Sequence, residues 1–170
     1  MDARFSFEIV ARDGLARRGR LSLPHGTIET PAFMPVGTRG AVKGVTVDQL
    51  QDLGAEIVLA NTYHLHLRPG DDLIARAGGL HRFIGWPSPI LTDSGGYQVF
   101  SLASRANLND DGVVFRSHLD GRAHALTPES VVDIQARLGS DERMVIDQCP
   151  NWPVTHGQGE EAMTRTLPRG

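Results

Sequence analysis

The chain has 170 residues, a formal net charge of −3 and 40% hydrophobic residues, which is the composition of a folded domain rather than of a disordered chain. The charge excludes a global basic field that attracts nucleic acid, and the single cysteine, Cys149, excludes an internal disulfide and a cysteine-rich zinc site formed by this chain alone. Because the sequence also lacks the apolar run of a membrane helix or signal peptide, we expect a soluble, cytoplasmic protein with no membrane partner.

The first elements along the chain are predicted to be β-strands. Residues 5–10 alternate apolar and polar side chains, as a half-exposed strand does. Asp13-Gly14 is a turn signal that precedes a second strand within residues 11–23. These two segments predict an N-terminal β-hairpin, and residues 28–37 are predicted to be extended.

Alternating helices and strands are predicted next. Thr46 and Gln49 have the spacing of a capping box, so a helix is predicted from Thr46 to about Leu53. A helix that begins at Pro69 is predicted to end near Gly78-Gly79. The further elements predicted are a strand at 56–61, a helical turn at 81–86, a strand at 89–93, a hairpin at 113–126 turning at Asp120-Gly121, a helix at 128–138 between Thr127 and Gly139, and a strand at 143–147.

The strands at 56–61, 89–93 and 143–147 are short and apolar on consecutive positions. Parallel strands that are covered on both faces have this pattern, and the helices between them indicate an α/β fold. Each of the three strands ends in a polar residue, namely Asn61, Asp93 and Asp147. The carboxyl ends of parallel strands form the ligand face of such folds. We therefore expect these three side chains to converge on one site.

The segment Asp93-Ser94-Gly95-Gly96 has two interpretations. Aspartate, serine and glycine are ordinary turn residues, because the first two bond their own backbone and glycine adopts positive φ. Alternatively, the glycines admit a flat ligand close to the backbone, beside a carboxylate that acts as a general acid or base. Tyr97, directly after this turn, is either a core residue or a stacking surface for an aromatic ligand.

Other polar residues have similarly open interpretations. Asp147 either caps the segment that follows it or binds a ligand that carries N–H groups. Cys149 has the pattern of a small packing residue rather than of a nucleophile. His64 and His66 lack a third ligand at a known zinc spacing, so we expect them in a polar loop. Asp141-Glu142 is expected to be a solvated loop.

Several long motifs, taken together and in order, resemble one family. The motifs are VGTRGAVKG (36–44), VLANTYHLHLRPG (58–70), ILTDSGGYQVFSL (90–102), SHLDGRAHALTPESVVDIQARLGSD (117–141) and MVIDQC (144–149). They are similar to the N-terminal half of bacterial tRNA-guanine transglycosylase, also called queuine tRNA-ribosyltransferase. The resemblance implies an α/β fold, the N-terminal part of a (β/α)8 TIM-type barrel preceded by a β-hairpin. The barrel is incomplete in this chain, because such a barrel needs about 250 residues.

The resemblance also implies a pentosyltransferase reaction. The family exchanges guanine at the wobble position of tRNAs with GUN anticodons for the queuosine precursor 7-aminomethyl-7-deazaguanine. A covalent bond forms between the enzyme and C1′ of the ribose after the target nucleotide leaves its stack. The implied partners are tRNA, guanine and 7-deazaguanine bases, and a second copy of the full-length enzyme in a homodimer.

Individual site residues follow from the same resemblance. Asp93 matches the general acid/base carboxylate, and Asp147 matches the carboxylate that reads the N1–H and exocyclic amine of the base. Ser94 and Tyr97 line the base pocket, and Asn61 lies near the ribose. The pocket wall is assigned to Val36, Leu59, Gln98 and Cys149.

Two departures from the family pattern shape the expectation for this chain. Gln148 stands where the family has glutamate. The family's nucleophilic aspartate and its zinc site of three cysteines and a histidine lie in its second half, so we expect no nucleophile, metal or cofactor site in this chain. We expect residues 1–150 to be the N-terminal half of the barrel, residues 151–170 to be a divergent tail of a truncated or frame-shifted reading frame, and the isolated chain to be inactive.

Two alternatives remain open. The chain could be a non-catalytic module of the same ancestry that binds a deazapurine or a partner. It could also be an unrelated (β/α) hydrolase that uses Asp93 and Asp147 as a pair of carboxylates.

Overall fold

The structure, a computed structural model, describes residues 5–102, 106–109, 111–150 and 152–167. It is a mixed α/β fold with one parallel and two antiparallel sheets. The strands are β1 Ser6–Asp13, β2 Ala16–Leu23, β3 Gly26–Thr30, β4 Val36–Gly37, β5 Val58–Ala60, β6 Ile90–Thr92, β7 Ala106–Asn109, β8 Gly112–Arg116, β9 Ala123–Leu126 and β10 Glu142–Arg143. The helices are α1 Val47–Asp52, α2 Thr62–Leu67, α3 Asp71–Arg76, α4 Leu80–Ile84, α5 Gly96–Leu102, α6 Pro128–Leu138 and α7 His156–Thr166.

The two antiparallel sheets contain the predicted hairpins. β1 pairs with β2, and β3 adds a third strand on the other side of β2. The hairpin predicted at 113–126 is present as β8 and β9, and Ser117 and Gly121 bond across its turn. The strand β7, which the sequence analysis did not identify, pairs with β8.

The parallel sheet has the order β10-β6-β5-β4. Val58, Ala60 and Ile90 are buried in the main apolar core, whereas Leu59 and Leu91 lie on the opposite face and are half-buried. Alternate residues of these strands therefore point to opposite faces, as the strand geometry requires. The prediction of a parallel α/β sheet is confirmed.

The last predicted strand, 143–147, is wrong in its extent. β10 comprises only Glu142 and Arg143, which pair with Leu91 and Thr92 of β6. The ladder ends because β6 ends at Thr92, and the carbonyl of Met144 accepts instead from the side chain of Gln135 at 2.9 Å. Asp147 thus lies in an irregular segment beyond the strand rather than at its last position.

Helix ends with strong capping signals occur where they were predicted. Thr46 and Gln49 form a reciprocal capping box at α1, and Thr127 and Ser130 form another at α6. Gly139 ends α6 with a φ of 74°, the left-handed conformation that favours glycine. The described residues contain no helix with the length and apolarity that a membrane span requires.

The helices α2 and α5 correct the sequence analysis. Each begins shortly after a parallel strand, α2 two residues after the end of β5 and α5 four residues after the end of β6. His64 and His66 lie on α2 and are half-buried, so the expected polar loop is wrong. The helix forms because Tyr63 and Leu65 of α2 are buried in the core, and this packing outweighs the modest helix propensity of its residues.

Candidate active site

The Asp93 carboxylate is held by three hydrogen bonds at the carboxyl end of β6. One oxygen, Oδ1, accepts from the backbone N–H of Thr62 at 2.9 Å. The other, Oδ2, accepts from the side-chain amides of Asn61 and of Gln98, the latter at 3.1 Å. Two helices that follow neighbouring strands therefore orient a single half-buried carboxylate.

The backbone of Asp93 is also fixed to the neighbouring strand. Its N–H donates to the carbonyl of Ala60 at 3.2 Å, and its carbonyl accepts from the Thr62 hydroxyl at 2.5 Å. Such a residue has little freedom to turn away, so the geometry supplies the pre-positioning that a proton-transferring group needs.

The two glycines after Ser94 have separate structural reasons. Gly95 has a φ of 82°, and a Cβ there would lie 3.1 Å from the backbone nitrogen of Tyr63. Gly96 has an ordinary φ, but a Cβ there would lie 2.8 Å from the carbonyl oxygen of Asp147. The first glycine serves the turn, and the second permits the close approach of Asp147.

Asp147 therefore meets the turn that carries Asp93. The hydroxyl of Ser94, a buried residue, donates to Asp147 Oδ1 at 3.3 Å and accepts from the Gly96 N–H at 3.2 Å. The Asp147 residue is exposed. The structure thus brings both predicted carboxylates to one turn, with Ser94 between them.

Gln135 is a residue of this region that the sequence analysis missed. It is fully buried on α6, and its amide bonds both the N–H and the carbonyl of Met144, at 3.1 and 2.9 Å. Its Oε1 also accepts from Thr92 at 2.7 Å. Gln135 acts on Met144 as a neighbouring strand does, and so it positions the segment that leads to Asp147. The signal available in the sequence was a polar residue on the otherwise apolar face of the predicted helix.

Tyr97 and Gln98 lie in the first turns of α5. Tyr97 is 62% exposed, so its ring is not a core residue. Gln98 donates to Asp93, while its Oε1 is buried and has no hydrogen-bond partner within the described residues. Buried acceptors of this kind are uncommon in folded proteins, so the Gln98 carbonyl lacks a donor that a bound ligand would supply.

The remaining predicted pocket residues lie on the sheet and beyond β10. Val36 of β4 and Leu59 of β5 are partners across the strand pair, and Leu59 is in turn the partner of Leu91 of β6. Val36 is exposed and Leu59 half-buried, so this row is an apolar floor that is open on one side. Cys149 is a free, half-buried thiol two residues after Asp147.

Histidine side chains surround Tyr63 next to this site. The hydroxyl of Tyr63 is 2.8 Å from Nδ1 of His118, and the ring of His64 meets that of Tyr63 edge-on at 5.2 Å. Burial, followed by the positive charges of Arg39 and His118, lowers the pKa of His64, and the opposing effect of Asp93 is smaller. His64 is thus an uncharged neighbour of the carboxylate at neutral pH.

Asp141 and Glu142 correct another sequence-based expectation. The Asp141 side chain is only 1% exposed, so the predicted solvated loop is wrong. Burial alone would raise the pKa of Asp141, but hydrogen bonds from His81, His25 and the Ile90 N–H lower it to about 2. Burial and the charge of Asp141 raise the pKa of Glu142. These residues lie at the amino end of the sheet, opposite to Asp93.

The sequence of this chain is similar to those of known proteins. A family model described as queuine tRNA-ribosyltransferase matches residues 13–169. A queuine tRNA-ribosyltransferase of Syntrophobacter fumaroxidans is 56% identical over 95% of this chain and 44% of its own length. Relatives of the same name from Brucella suis and Aquifex aeolicus are 55% and 53% identical, with 43% and 45% of their own lengths covered. The chain spans less than half the length of these relatives.

Proposed function

The chain belongs to the queuine tRNA-ribosyltransferase family, and on that premise we propose that it supplies the acid/base and base-recognition groups for guanine exchange in tRNA. One observation carries the proposal. The Asp147 carboxylate accepts from Ser94, the residue next to Asp93, so both carboxylates lie at one turn, where Asp93 is held by three donors and Asp147 is exposed.

In the proposed reaction Asp93 moves the proton. The bond between the ribose C1′ and guanine breaks as a nucleophile bonds to C1′, and protonated Asp93 gives its proton to the departing base. The incoming 7-deazaguanine then loses a proton to Asp93 as its nitrogen bonds to C1′ and displaces the nucleophile. Asp93 thereby returns to its starting state. The family resemblance assigns the nucleophile to an aspartate in the second half of the family's sequence.

Asp147 is proposed to select the base. The N1–H and the exocyclic amine of guanine are adjacent donors, and a carboxylate is an acceptor with two oxygens. The hydrogen bond from Ser94 to Oδ1 supports this role, because it orients the carboxylate while leaving acceptor sites open. An adenine presents a different pattern on the corresponding edge and lacks the N1–H donor.

The surrounding residues complete the proposed base pocket. The exposed ring of Tyr97 offers a stacking face, and the unpaired Gln98 carbonyl offers an acceptor. Asn61 is proposed to lie near the ribose, and Val36, Leu59 and Cys149 to form the wall.

The parallel sheet supports the proposal that the fold is part of a (β/α)8 barrel. In such a barrel each parallel strand neighbours the previous one, and helices cover the outside. β4, β5, β6 and β10 follow that order with parallel pairing. The division of the chain at residue 150, a homodimer and a cytoplasmic location stay predictions.

Base binding tests the proposed recognition role. We expect the 170-residue chain to bind 7-aminomethyl-7-deazaguanine saturably in isothermal titration calorimetry. Asp147→Asn should weaken binding about 10- to 100-fold, because hydrogen bonds to a charged group contribute roughly 1.5–3 kcal/mol. Asp48→Asn, which changes an exposed carboxylate on α1, is the matched control and should bind as the parent does. Equal binding by both variants would contradict the role of Asp147.

Base exchange tests the proposed division of chemistry. The 170-residue chain, incubated with a GUN-anticodon tRNA and labelled guanine, should incorporate no label above background. Incorporation would show that these residues contain a nucleophile and refute the division. Turnover of a small molecule without RNA, abolished by Asp93→Asn, would instead favour a hydrolase.

A further inference from the structure

Two histidines and one aspartate form a cluster far from Asp93. Nδ1 of His25 lies 2.7 Å from Asp141 Oδ1, and Nε2 of His81 lies 3.1 Å from Asp141 Oδ2. One possible ligand atom from each residue lies within 4.8 Å of the others. The three residues come from the β2–β3 turn, from α4 and from the position before β10, so the cluster joins three separate parts of the chain.

The carboxylate of this cluster is already oriented by the backbone. Asp141 Oδ2 accepts from the N–H of Ile90, the first residue of β6, at 2.9 Å. The Asp141 N–H in turn donates to the Ile90 carbonyl at 3.0 Å. A hydrogen bond that orients a carboxylate in this way is typical of the supporting shell of a metal site.

The donor set and spacing fit a zinc-like cation. Two imidazoles and one carboxylate, with water in the fourth position, are a known ligand set for Zn²⁺. Bond lengths of about 2.0–2.2 Å at tetrahedral angles separate neighbouring ligand atoms by roughly 3.3 Å. The observed separations of 2.7 and 3.1 Å, which run to different oxygens of Asp141, need to widen by about 0.6 and 0.2 Å.

Coordination of one ion also requires the two stacked imidazole rings to move apart. Their ring centroids are 3.6 Å apart and their planes differ by 16°, and the in-plane lone pairs of such stacked rings do not converge on one ion. His25 can make this change because its side chain is 42% exposed on a turn, whereas His81 is 12% exposed and Asp141 is buried. The site thus combines a buried carboxylate, a partly buried imidazole and an exposed imidazole that has room to move.

We propose that His25, His81 and Asp141 bind one divalent transition-metal ion of the Zn²⁺ type, which fastens the β2–β3 turn to the amino end of the parallel sheet. The site contains no cysteine and uses only residues within this chain. It differs in both respects from the zinc site of three cysteines and a histidine that the family resemblance places in the second half. The three ligands were not predicted from the sequence, in which they are 56 to 116 residues apart, with His25 and Asp141 at the larger separation.

Metal titration of the intact 170-residue chain tests the proposal. The metal-stripped protein is titrated with ZnCl2 in a calorimeter, together with His25→Gln, His81→Gln and Asp141→Asn. Glutamine keeps an N–H donor for Asp141, so the fold is retained while the imidazole ligand is lost, and a circular dichroism spectrum checks this. His156→Gln, at an exposed position that begins α7, is the matched control.

We expect one equivalent of Zn²⁺ per chain and the same affinity for the control. Each cluster variant should bind at least about 100-fold more weakly, since losing even a supporting hydrogen bond costs 10- to 100-fold. Co²⁺ should give the intense visible absorption of a tetrahedral site, which His25→Gln should abolish. The proposal would be overturned if the titration shows no Zn²⁺ binding, or if Zn²⁺ binding persists in all three variants. The three residues would then form a hydrogen-bonded histidine–aspartate cluster only.

Discussion

The substitution Gly96→Ala tests how closely Asp147 must approach the turn. The added Cβ would lie 2.8 Å from the carbonyl oxygen of Asp147, 3.1 Å from its Oδ1 and 3.3 Å from the Ser94 hydroxyl. The first contact is with backbone, so the segment around Asp147 must move. Overpacking of this kind costs about 1–3 kcal/mol of unfolding free energy.

Gly159→Ala is the matched control, because it places the same methyl group in a helix with room to spare. Apart from its two chain neighbours and the nearby backbone of its own helix, no described residue has a heavy atom within 4 Å of that Cβ. Alanine is favoured over glycine in a helix interior by up to about 1 kcal/mol, so this variant should be stabilised. This preference applies to Gly159 inside α7 and not in full to Gly96, which begins α5, so the difference between the variants contains the steric cost together with that smaller gain.

Urea unfolding followed by circular dichroism measures that difference. Gly96→Ala should be less stable than Gly159→Ala by about 1–3 kcal/mol. It should also bind 7-aminomethyl-7-deazaguanine more weakly than the control does, because the displaced segment carries the carboxylate that reads the base. If Gly96→Ala is as stable as Gly159→Ala, the close approach of Asp147 is not what requires glycine at position 96.

Three further predictions follow from other contacts. Tyr97→Ala should leave the urea midpoint unchanged and weaken base binding in calorimetry about 10- to 100-fold, because the exposed ring contributes stacking worth roughly 1–3 kcal/mol. Gln135→Leu should destabilise the chain by about 2–4 kcal/mol in urea unfolding, because it leaves the buried Thr92 hydroxyl and the Met144 carbonyl without that partner; a loss below about 0.5 kcal/mol would contradict its positioning role. Burial raises the pKa of Asp71, but hydrogen bonds from Arg137 and His66 outweigh it and lower the pKa overall. The stability that Asp71 contributes is therefore complete above its unfolded pKa of about 3.9 and is lost as the pH falls through its folded pKa. The difference in urea midpoint between the parent and Asp71→Asn should accordingly narrow below pH 4. A difference that stays constant with pH would argue against the ionised pair of Asp71 and Arg137.

Local signals predicted a large part of the fold. The capping residues Thr46 and Thr127 mark helix starts because they bond backbone groups only three residues away. The turns at Asp13-Gly14 and Asp120-Gly121 are equally local. Asn61 and Asp93 lie together as predicted from their positions at strand ends, because parallel pairing of β5 and β6 aligns the carboxyl ends of these strands.

The features that the sequence did not predict depend on distant contacts. The helix α2 forms on burial of Tyr63 and Leu65. Its N-cap residue, Asn61, makes no side-chain cap bond and donates to Asp93 instead. Asp141 is buried because His25 and His81, distant along the chain, approach it from two other elements. The segment after β10 is held by Gln135, which bonds both backbone groups of Met144 from a neighbouring helix.

The main-chain donor to Asp93 limits what side-chain substitution can do to this carboxylate. Asn61 and Gln98 can be replaced, but no replacement at those two positions removes the Thr62 N–H that donates to Oδ1. It also survives Thr62→Val, which removes only the hydroxyl bond to the Asp93 carbonyl.

Proline is the one standard residue that removes this N–H, and position 62 is unusually suited to it. Thr62 is the first residue of α2, where proline is well tolerated. Asn61 already has the extended conformation, with φ −95° and ψ 115°, that a following proline requires. The pair Thr62→Pro and Thr62→Val therefore separates the orientation of Asp93 from the integrity of the helix. In directed evolution of this protein, side-chain changes at positions 61 and 98 would act on Oδ2 of Asp93, whereas the donor to Oδ1 would be lost only through proline at position 62.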